Sequence, residues 1–141
     1  MKKQMLLVAS LCSVLTLAVI PANAQAGGVL SRVPFKFSVS GKTLPAGEYT
    51  MIASSNQVKI QDAHGRMVAM VLANDVAGRS AGDNGKIIFH CYRDYCFLSE
   101  VWAPTELNGR RLLTSRTEAG LAKEERAKYF ALVGEKPQKR Q

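Results

Sequence analysis

The residues best suited to chemistry lie close together, where His90 and Cys91 precede Arg93-Asp94 and then Cys96. If Arg93 and Asp94 form a two-residue hairpin turn, Cys91 lies directly opposite Cys96, with Cβ atoms about 4.5–5.5 Å apart. The twist of a hairpin can bring such a pair to disulfide distance. We therefore predict a Cys91–Cys96 disulfide. A redox centre is the other hypothesis, but it normally needs Cys-x-x-Cys at a helix N-terminus.

The same hairpin should carry a second, aromatic face. Because side chains alternate along a strand, His90 and Cys91 point to opposite faces, which argues against a Cys–His nucleophilic pair. The predicted core face carries Ile87, Phe89, Cys91, Cys96, Leu98 and Trp102, and the other face carries Ile88, Val101 and a candidate binding face of His90, Tyr92, Tyr95 and Phe97. Aromatic rings and hydroxyls of this kind suit sugar or peptide binding. Packing inside the fold is the alternative.

No metal, cofactor or catalytic constellation stands out in the sequence. A zinc site needs three or four converging ligands, whereas the chain has two histidines and the predicted disulfide takes two of its three cysteines. We find no Walker A, G-x-G-x-x-G, H-E-x-x-H or G-x-S-x-G motif. The sequence therefore favours a non-enzymatic protein, with no cofactor and no catalytic residue assigned.

The elements that would position these residues are mainly strands. Residues 33–39 alternate between apolar and polar side chains, and further strands are predicted over 48–53, 58–61, 67–72, 87–92, 95–102 and 111–114. Residues 74–85 form a polar stretch that predicts a long loop. Ser115 and Glu118 are spaced as in a helix capping box. We predict an antiparallel meander of six to seven strands, as a small barrel or a sandwich, with one C-terminal helix.

The N-terminus resembles a secretory signal peptide. Lys2 and Lys3 precede an apolar stretch over residues 5–20, and Ala22-Asn23-Ala24 fits a cleavage site. The predicted organisation is a signal peptide (1–24), an N-terminal extension (25–32), a β domain (33–114), a helix (115–134) and a disordered basic tail (135–141). We expect export to the periplasm, the cell surface or the medium, with no transmembrane segment after cleavage.

Positive charge is concentrated in the last quarter of the chain. The formal net charge is +8, and residues 109–141 hold nine basic and four acidic side chains. Such a surplus attracts anionic partners, although a solvated helix and tail would have the same composition. The candidate anion-binding residues are Arg110, Arg111, Arg116, Lys123, Arg126 and Lys128.

Two segments carry a family resemblance. The opening V-P-F-K-F-S-V, followed by G-K-T-L-P-A-G-E-Y, and the later F-L-S-E-V-W resemble a group of small, exported, uncharacterised bacterial proteins. The resemblance spans most of the chain after the signal peptide. It implies export and an all-β domain, and it assigns no activity.

Three functional hypotheses follow. The first is an exported, non-enzymatic β-domain that binds a cell-envelope component or a protein partner, without specific binding of nucleic acid. The second is a small envelope enzyme that uses carboxylates or His90 in a barrel mouth. The third is a structural surface module that its basic C-terminal region tethers to the envelope.

Overall fold

The structure, a computed structural model, describes residues 28–78 and 82–135. Within these ranges the fold is mainly β, with one helix near the C-terminus. The elements are β1 (Gly28–Val33), β2 (Phe37–Val39), β3 (Lys42–Leu44), β4 (Gly47–Ala53), β5 (Gln57–Asp62), β6 (Met67–Ala77), β7 (Lys86–Tyr92), β8 (Tyr95–Trp102), β9 (Asn108–Leu112), α1 (Arg116–Glu124) and β10 (Lys128–Val133). The predicted mainly-β class with a C-terminal helix is confirmed, and the strand count is higher than the predicted six to seven.

The strands form one mixed sheet that is not closed into a barrel. Its main path runs β1-β4-β5-β6-β9-β8-β2-β3, and β7 joins β8 to β10. The β2–β8 pair is parallel, and the other pairs are antiparallel. An isolated bridge between Leu30 and Glu135 links β1 to the segment that follows β10. The predicted purely antiparallel meander is therefore corrected, because β6 pairs with β9 and β8 with β2.

Alternating side chains of the strands form the core. The largest fully buried residues include Phe37, Met51, Ile60, Ile87 and Phe89. Phe37 and Phe89 pack edge to face, with ring centroids 5.4 Å apart. The core thus lies against the inner side of β7, and the other side of β7 is left for α1 to cover.

The predicted strand over 33–39 is two strands. β1 ends at Val33 and β2 begins at Phe37. Pro34 lies in the break. Because proline has no backbone N–H, it cannot donate a hydrogen bond to a neighbouring strand. The predicted extension over 25–32 is also corrected from Gly28 onward, because these residues form β1 and pair with β4.

The predicted loop over 74–85 begins later than expected. β6 continues to Ala77, and its polar end pairs with β9. Asp75 lies opposite Arg110, and the carboxylate and guanidinium are 3.1 Å apart. A cross-strand ion pair thus allows residues with low strand propensity to extend β6.

The predicted helix over 115–134 is wrong in its second half. α1 ends at Glu124, and residues 128–133 form β10, which pairs with β7. Tyr129, Phe130 and Val133 have side chains that favour strands, and β7 offers an edge to pair with. Glu135, predicted to begin the disordered tail, bridges to Leu30.

Several predictions lie outside the described residues. They are the signal peptide over 1–24, the start of the extension over 25–27, and the tail from residue 136. Across 28–78 and 82–135, no helix has the length and apolar character needed to cross a membrane.

Candidate binding cleft beside Glu118

The β7–β8 hairpin presents the predicted site residues. Cys91 lies opposite Cys96, and the two form a disulfide on the core side of the sheet. This confirms the predicted pairing and register. The disulfide joins the two strands of the hairpin next to the turn.

A bulge in β8 changes which residues share a face. The register shifts by one residue between Ile88 and Phe89, which leaves Ser99 as an extra residue. Because of this extra residue, each side chain of β8 after the bulge points to the face opposite the one that strict alternation predicts. Val101 therefore joins the core face and Trp102 leaves it, so the predicted positions of these two side chains are wrong.

The four residues of the predicted binding face lie on the same side of the hairpin, but they differ in exposure. His90 pairs with Phe97, and Tyr92 pairs with Tyr95, so all four share one face of the hairpin. Tyr92 and Phe97 are buried, His90 is partly buried, and Tyr95 is 58% exposed. The face is therefore largely covered within the molecule rather than open as a flat surface.

Helix α1 begins close to this face and places Glu118 against it. Ser115 caps the helix, with its hydroxyl accepting a 3.2 Å hydrogen bond from the Glu118 N–H. The Glu118 carboxylate contacts the strand side chains: its Oε1 lies 3.3 Å from His90 Nδ1, and it accepts a hydrogen bond from Tyr92. The sequence pattern identified Glu118 only as part of a cap. Its contact with His90 depends on the position of α1 over β7.

Burial perturbs the ionisable groups of this cluster. The Glu118 side chain is only 9% exposed. Burial raises the pKa of its carboxyl, although the charge of His90 and the hydrogen bonds from His90 and Tyr92 act in the opposite direction. Burial also raises the pKa of the Tyr92 hydroxyl, and the nearby charge of Glu118 adds to that effect.

A cleft of about 460 Å³ opens beside this cluster, between β7, the end of α1 and β10. Tyr129 lies opposite His90 in the β7–β10 pair, and the two rings pack edge to face at 4.7 Å. The cleft is lined by His90, Tyr92, Ala122, Lys123, Glu124, Glu125, Arg126, Ala127 and Tyr129. It combines exposed aromatic surface with two cationic and two anionic side chains. Tyr129 is not among the predicted site residues, because the sequence pattern predicts a helix over this segment.

Two of the six candidate anion-binding residues are held by the protein itself. Arg110 donates to the Ser54 carbonyl at 2.7 Å and pairs with Asp75. Arg111 donates to Glu100 through Nε at 3.0 Å and Nη2 at 2.8 Å. These guanidinium groups stabilise the sheet, so they contribute less positive charge to a partner than their sequence position suggests.

The other four candidate anion-binding residues are exposed. Arg116 begins α1, and Lys128 begins β10. Lys123 and Arg126 lie at the cleft. The structure therefore brings two of the six predicted basic residues to the cleft and leaves the other four outside its lining.

A second polar cluster, around Trp102, was not predicted. The indole N–H donates to Glu100 at 2.8 Å, and Arg111 binds the other oxygen of that carboxylate. The Lys86 ammonium lies 5.0 Å from the centre of the Trp102 ring. A Cβ at Gly109 would lie 2.5 Å from the indole, so the ring requires glycine there. Because Trp102 and Glu100 of β8 and Arg111 of β9 are hydrogen-bonded to one another, this cluster joins β8 to β9.

The comparisons with known proteins add no assignment. No family model, curated protein or solved structure matches this chain. The resemblance to small exported bacterial proteins therefore stays a prediction. Within the described part of the chain, no group of three or more metal-binding side chains comes together.

Proposed function

We propose that this chain is an exported, non-enzymatic β-domain that binds an anionic cell-envelope saccharide in the cleft between α1, β7 and β10. The observation that carries the proposal is the lining of the cleft. Tyr129 and His90 offer ring surface on which a sugar can stack, while Lys123 and Arg126 offer positive charge to an anionic group. Of the two glutamates that also line the cleft, Glu125 is paired with Arg93 at 3.3 Å.

The contacts of Glu118 support binding rather than catalysis. Its carboxylate is buried and already bonded to His90 and Tyr92. These bonds tie α1 to β7, which is the role expected of a satisfied buried polar network. A general acid or base should instead reach the substrate directly.

The disulfide and the chain's charge are consistent with an envelope location. Disulfides persist in oxidising compartments, and Cys91 and Cys96 form one. The net charge of +8 favours association with anionic polymers. Export itself rests on the signal-like sequence over residues 1–24.

The test is binding of the chain to purified anionic envelope polysaccharide, with neutral dextran as the comparison polymer. We expect Tyr129→Ala to weaken binding about tenfold, the effect of losing one central aromatic contact. Arg126→Glu should also weaken binding and reduce its salt dependence. A truncation after Asn108 is unsuitable, because it would remove nearly all of β9 and the whole of β10.

Arg116→Glu is the matched control. It makes the same change of charge at the first residue of α1, outside the cleft lining, where a carboxylate suits the helix dipole. Unchanged binding by Tyr129→Ala and Arg126→Glu would contradict the proposal that the polysaccharide binds in the cleft. Equal losses in Arg126→Glu and Arg116→Glu would instead favour the tethered structural module, because that binding depends on total charge.

A small envelope enzyme is the second candidate function. It is favoured by one observation: a carboxyl with a raised pKa contacts a histidine at the cleft, as acid–base sites often do. Mass spectrometry of the polysaccharide after incubation distinguishes the two functions. Release of a product by the native chain, lost in Glu118→Gln with binding retained, would replace the binding proposal.

A further inference from the structure

The strand β10 is unusually exposed for an apolar segment. Its sequence is K-Y-F-A-L-V, and Tyr129, Phe130 and Val133 are 74%, 50% and 75% exposed. Tyr129 and Phe130 point to opposite faces of the sheet, so the exposure is not limited to one side. Exposed apolar edge strands are templates on which another strand can pair.

The hydrogen bonds at the end of β10 show which backbone groups face away from β7. The Gly134 N–H donates to the Gly85 carbonyl, next to β7. Glu135, one residue on, exchanges two hydrogen bonds of 2.7 and 2.8 Å with Leu30 of β1. Because successive residues of a strand present their N–H and C=O groups to opposite edges, Val133 has the same orientation as Glu135.

The same alternation extends to the rest of β10. Tyr129, Ala131 and Val133 present their N–H and C=O groups to the edge away from β7. Within residues 28–78 and 82–135, β7 is the strand that pairs with β10, so no ladder uses these groups there. β1 comes close to this edge beside the Leu30–Glu135 bridge, at the end of β10 that holds Val133. Three residues thus offer six backbone groups along one edge.

We propose that a second copy of this chain pairs antiparallel with β10 along this edge, about a two-fold axis at Ala131. The three outward-facing residues are symmetric about Ala131. In this register Ala131 lies opposite its equivalent, and Tyr129 lies opposite Val133 of the second copy. All six backbone groups are then used, as an isologous interface requires.

The side chains and charges are compatible with the same register. Phe130 of each copy lies opposite Leu132 of the other, an apolar pair on the face that Phe130 shares with Phe35. Lys128 lies opposite Gly134, so no two lysines face each other. The antiparallel arrangement also brings Lys128, at the start of one β10, near Glu135, which follows the end of the other. The two side chains have opposite charges.

The structure also limits the length of the pairing. Leu30 already binds the outer edge of Glu135, so the added strand must end near that residue. The main path of the sheet ends at β1, whose Leu30 is bridged to Glu135, and at β3, which has three residues. Strand addition is therefore expected at β10 and not at β3. This inference does not rest on saccharide binding, and it can be true whether or not the cleft binds one.

The test is the molar mass of the full chain, produced with its own N-terminal segment in an exporting host and measured by sedimentation over a range of concentrations. The native chain should have twice the mass of one copy. Ala131→Lys and Ala131→Glu each place like charges opposite each other at the axis, so each variant should dimerise at least about tenfold more weakly. An equimolar mixture should regain the dimer, because unlike charges then face each other.

Leu72→Lys is the control, since it places a charge on an exposed apolar residue of β6, away from β10. It should remain dimeric. Thermal unfolding of every variant checks that Ala131, an exposed residue, tolerates the substitutions. A monomeric native chain, dimers that persist in both Ala131 variants, or a mass that grows past two copies would each overturn the proposal.

Discussion

At the scale of single residues, the main feature is a carboxylate kept from most of the solvent. Glu118 faces His90 and Tyr92, and the benefit of these contacts competes with the cost of burying a charge. The raised pKa means that burial outweighs the favourable contacts. Protonation of Glu118 therefore stabilises the fold.

This balance predicts a pH-dependent effect of Glu118→Gln. Because the folded-state pKa is raised above its ordinary value near 4.5, the stabilising contribution is complete below that pH and is lost as the pH rises through the folded-state pKa. The free energy of unfolding of the variant should therefore rise relative to the native chain as the pH rises above about 4.5. Urea unfolding, followed by Trp102 fluorescence, measures the difference.

Asp62→Asn is a control of opposite sign. Burial acts to raise the pKa of Asp62, but hydrogen bonds from Arg66 and His64 and the charge of Arg66 lower it overall. The stabilising contribution of Asp62 should therefore be lost on acidification, and the native chain and this variant should converge at low pH. Parallel pH profiles for the native chain and Glu118→Gln would contradict the role given to burial.

At the scale of elements, the β7–β8 hairpin combines a tight turn, a disulfide and a bulge. The turn sets the register that brings Cys91 opposite Cys96. The bulge at Ser99 then turns Trp102 towards Glu100 and Lys86. One hairpin thus contributes to both the core and the Trp102 cluster.

Removal of the disulfide should have a moderate effect. The Cys91–Cys96 bridge closes a loop with a sequence separation of five. A loop this short restricts the unfolded chain only a little, so Cys91→Ala with Cys96→Ala should cost about 2 kcal/mol of stability. Urea unfolding of the oxidised chain, the reduced chain and the double variant measures this cost.

Reduction of the native chain is the matched control for that variant. The reduced chain and the double variant should have similar stability if the covalent bond is what matters. A double variant that fails to fold would contradict the estimate, because the strand pairing should survive without the bridge.

At the scale of the whole molecule, the sheet stops short of closing. β1 and the segment that follows β10 are joined by the hydrogen bonds of the Leu30–Glu135 bridge. Phe35 packs beside this opening, edge to face with Phe89 at 5.1 Å and with Phe130 at 5.6 Å. Its ring therefore covers the core where hydrogen bonding between strands is missing.

Phe35→Ala should destabilise the fold by about 2 kcal/mol, less than the 3–5 kcal/mol typical of a fully buried phenylalanine. Phe35 is only partly buried, so part of its surface is exposed to water in both states. Hydrogen exchange should also speed up at the amides of Phe130 and Leu132, which face β7. Phe35→Leu, which keeps an apolar side chain, should have a smaller effect on both measurements.

Comparison with Phe37→Ala tests this interpretation. Phe37 is fully buried and contacts Phe89 on the closed side of the core. Its loss should cost more stability than that of Phe35. Equal costs would contradict the view that Phe35 acts as a partial cover over the opening.

The sequence by itself determined the features that depend on neighbouring residues. The alternation of apolar side chains predicted the mainly-β class, and a two-residue turn predicted the Cys91–Cys96 pairing. The Ser115 cap correctly located the start of α1. Each of these depends on contacts between residues that are close in the chain.

Only the tertiary structure decided where distant segments meet. Residues 128–133 follow an Ala- and Glu-rich helix, and the free edge of β7 makes them a strand. The contact of Glu118 with His90, and the cleft beside Tyr129, depend on that pairing. A sequence pattern cannot show which edge is open, because that depends on the arrangement of all the other strands.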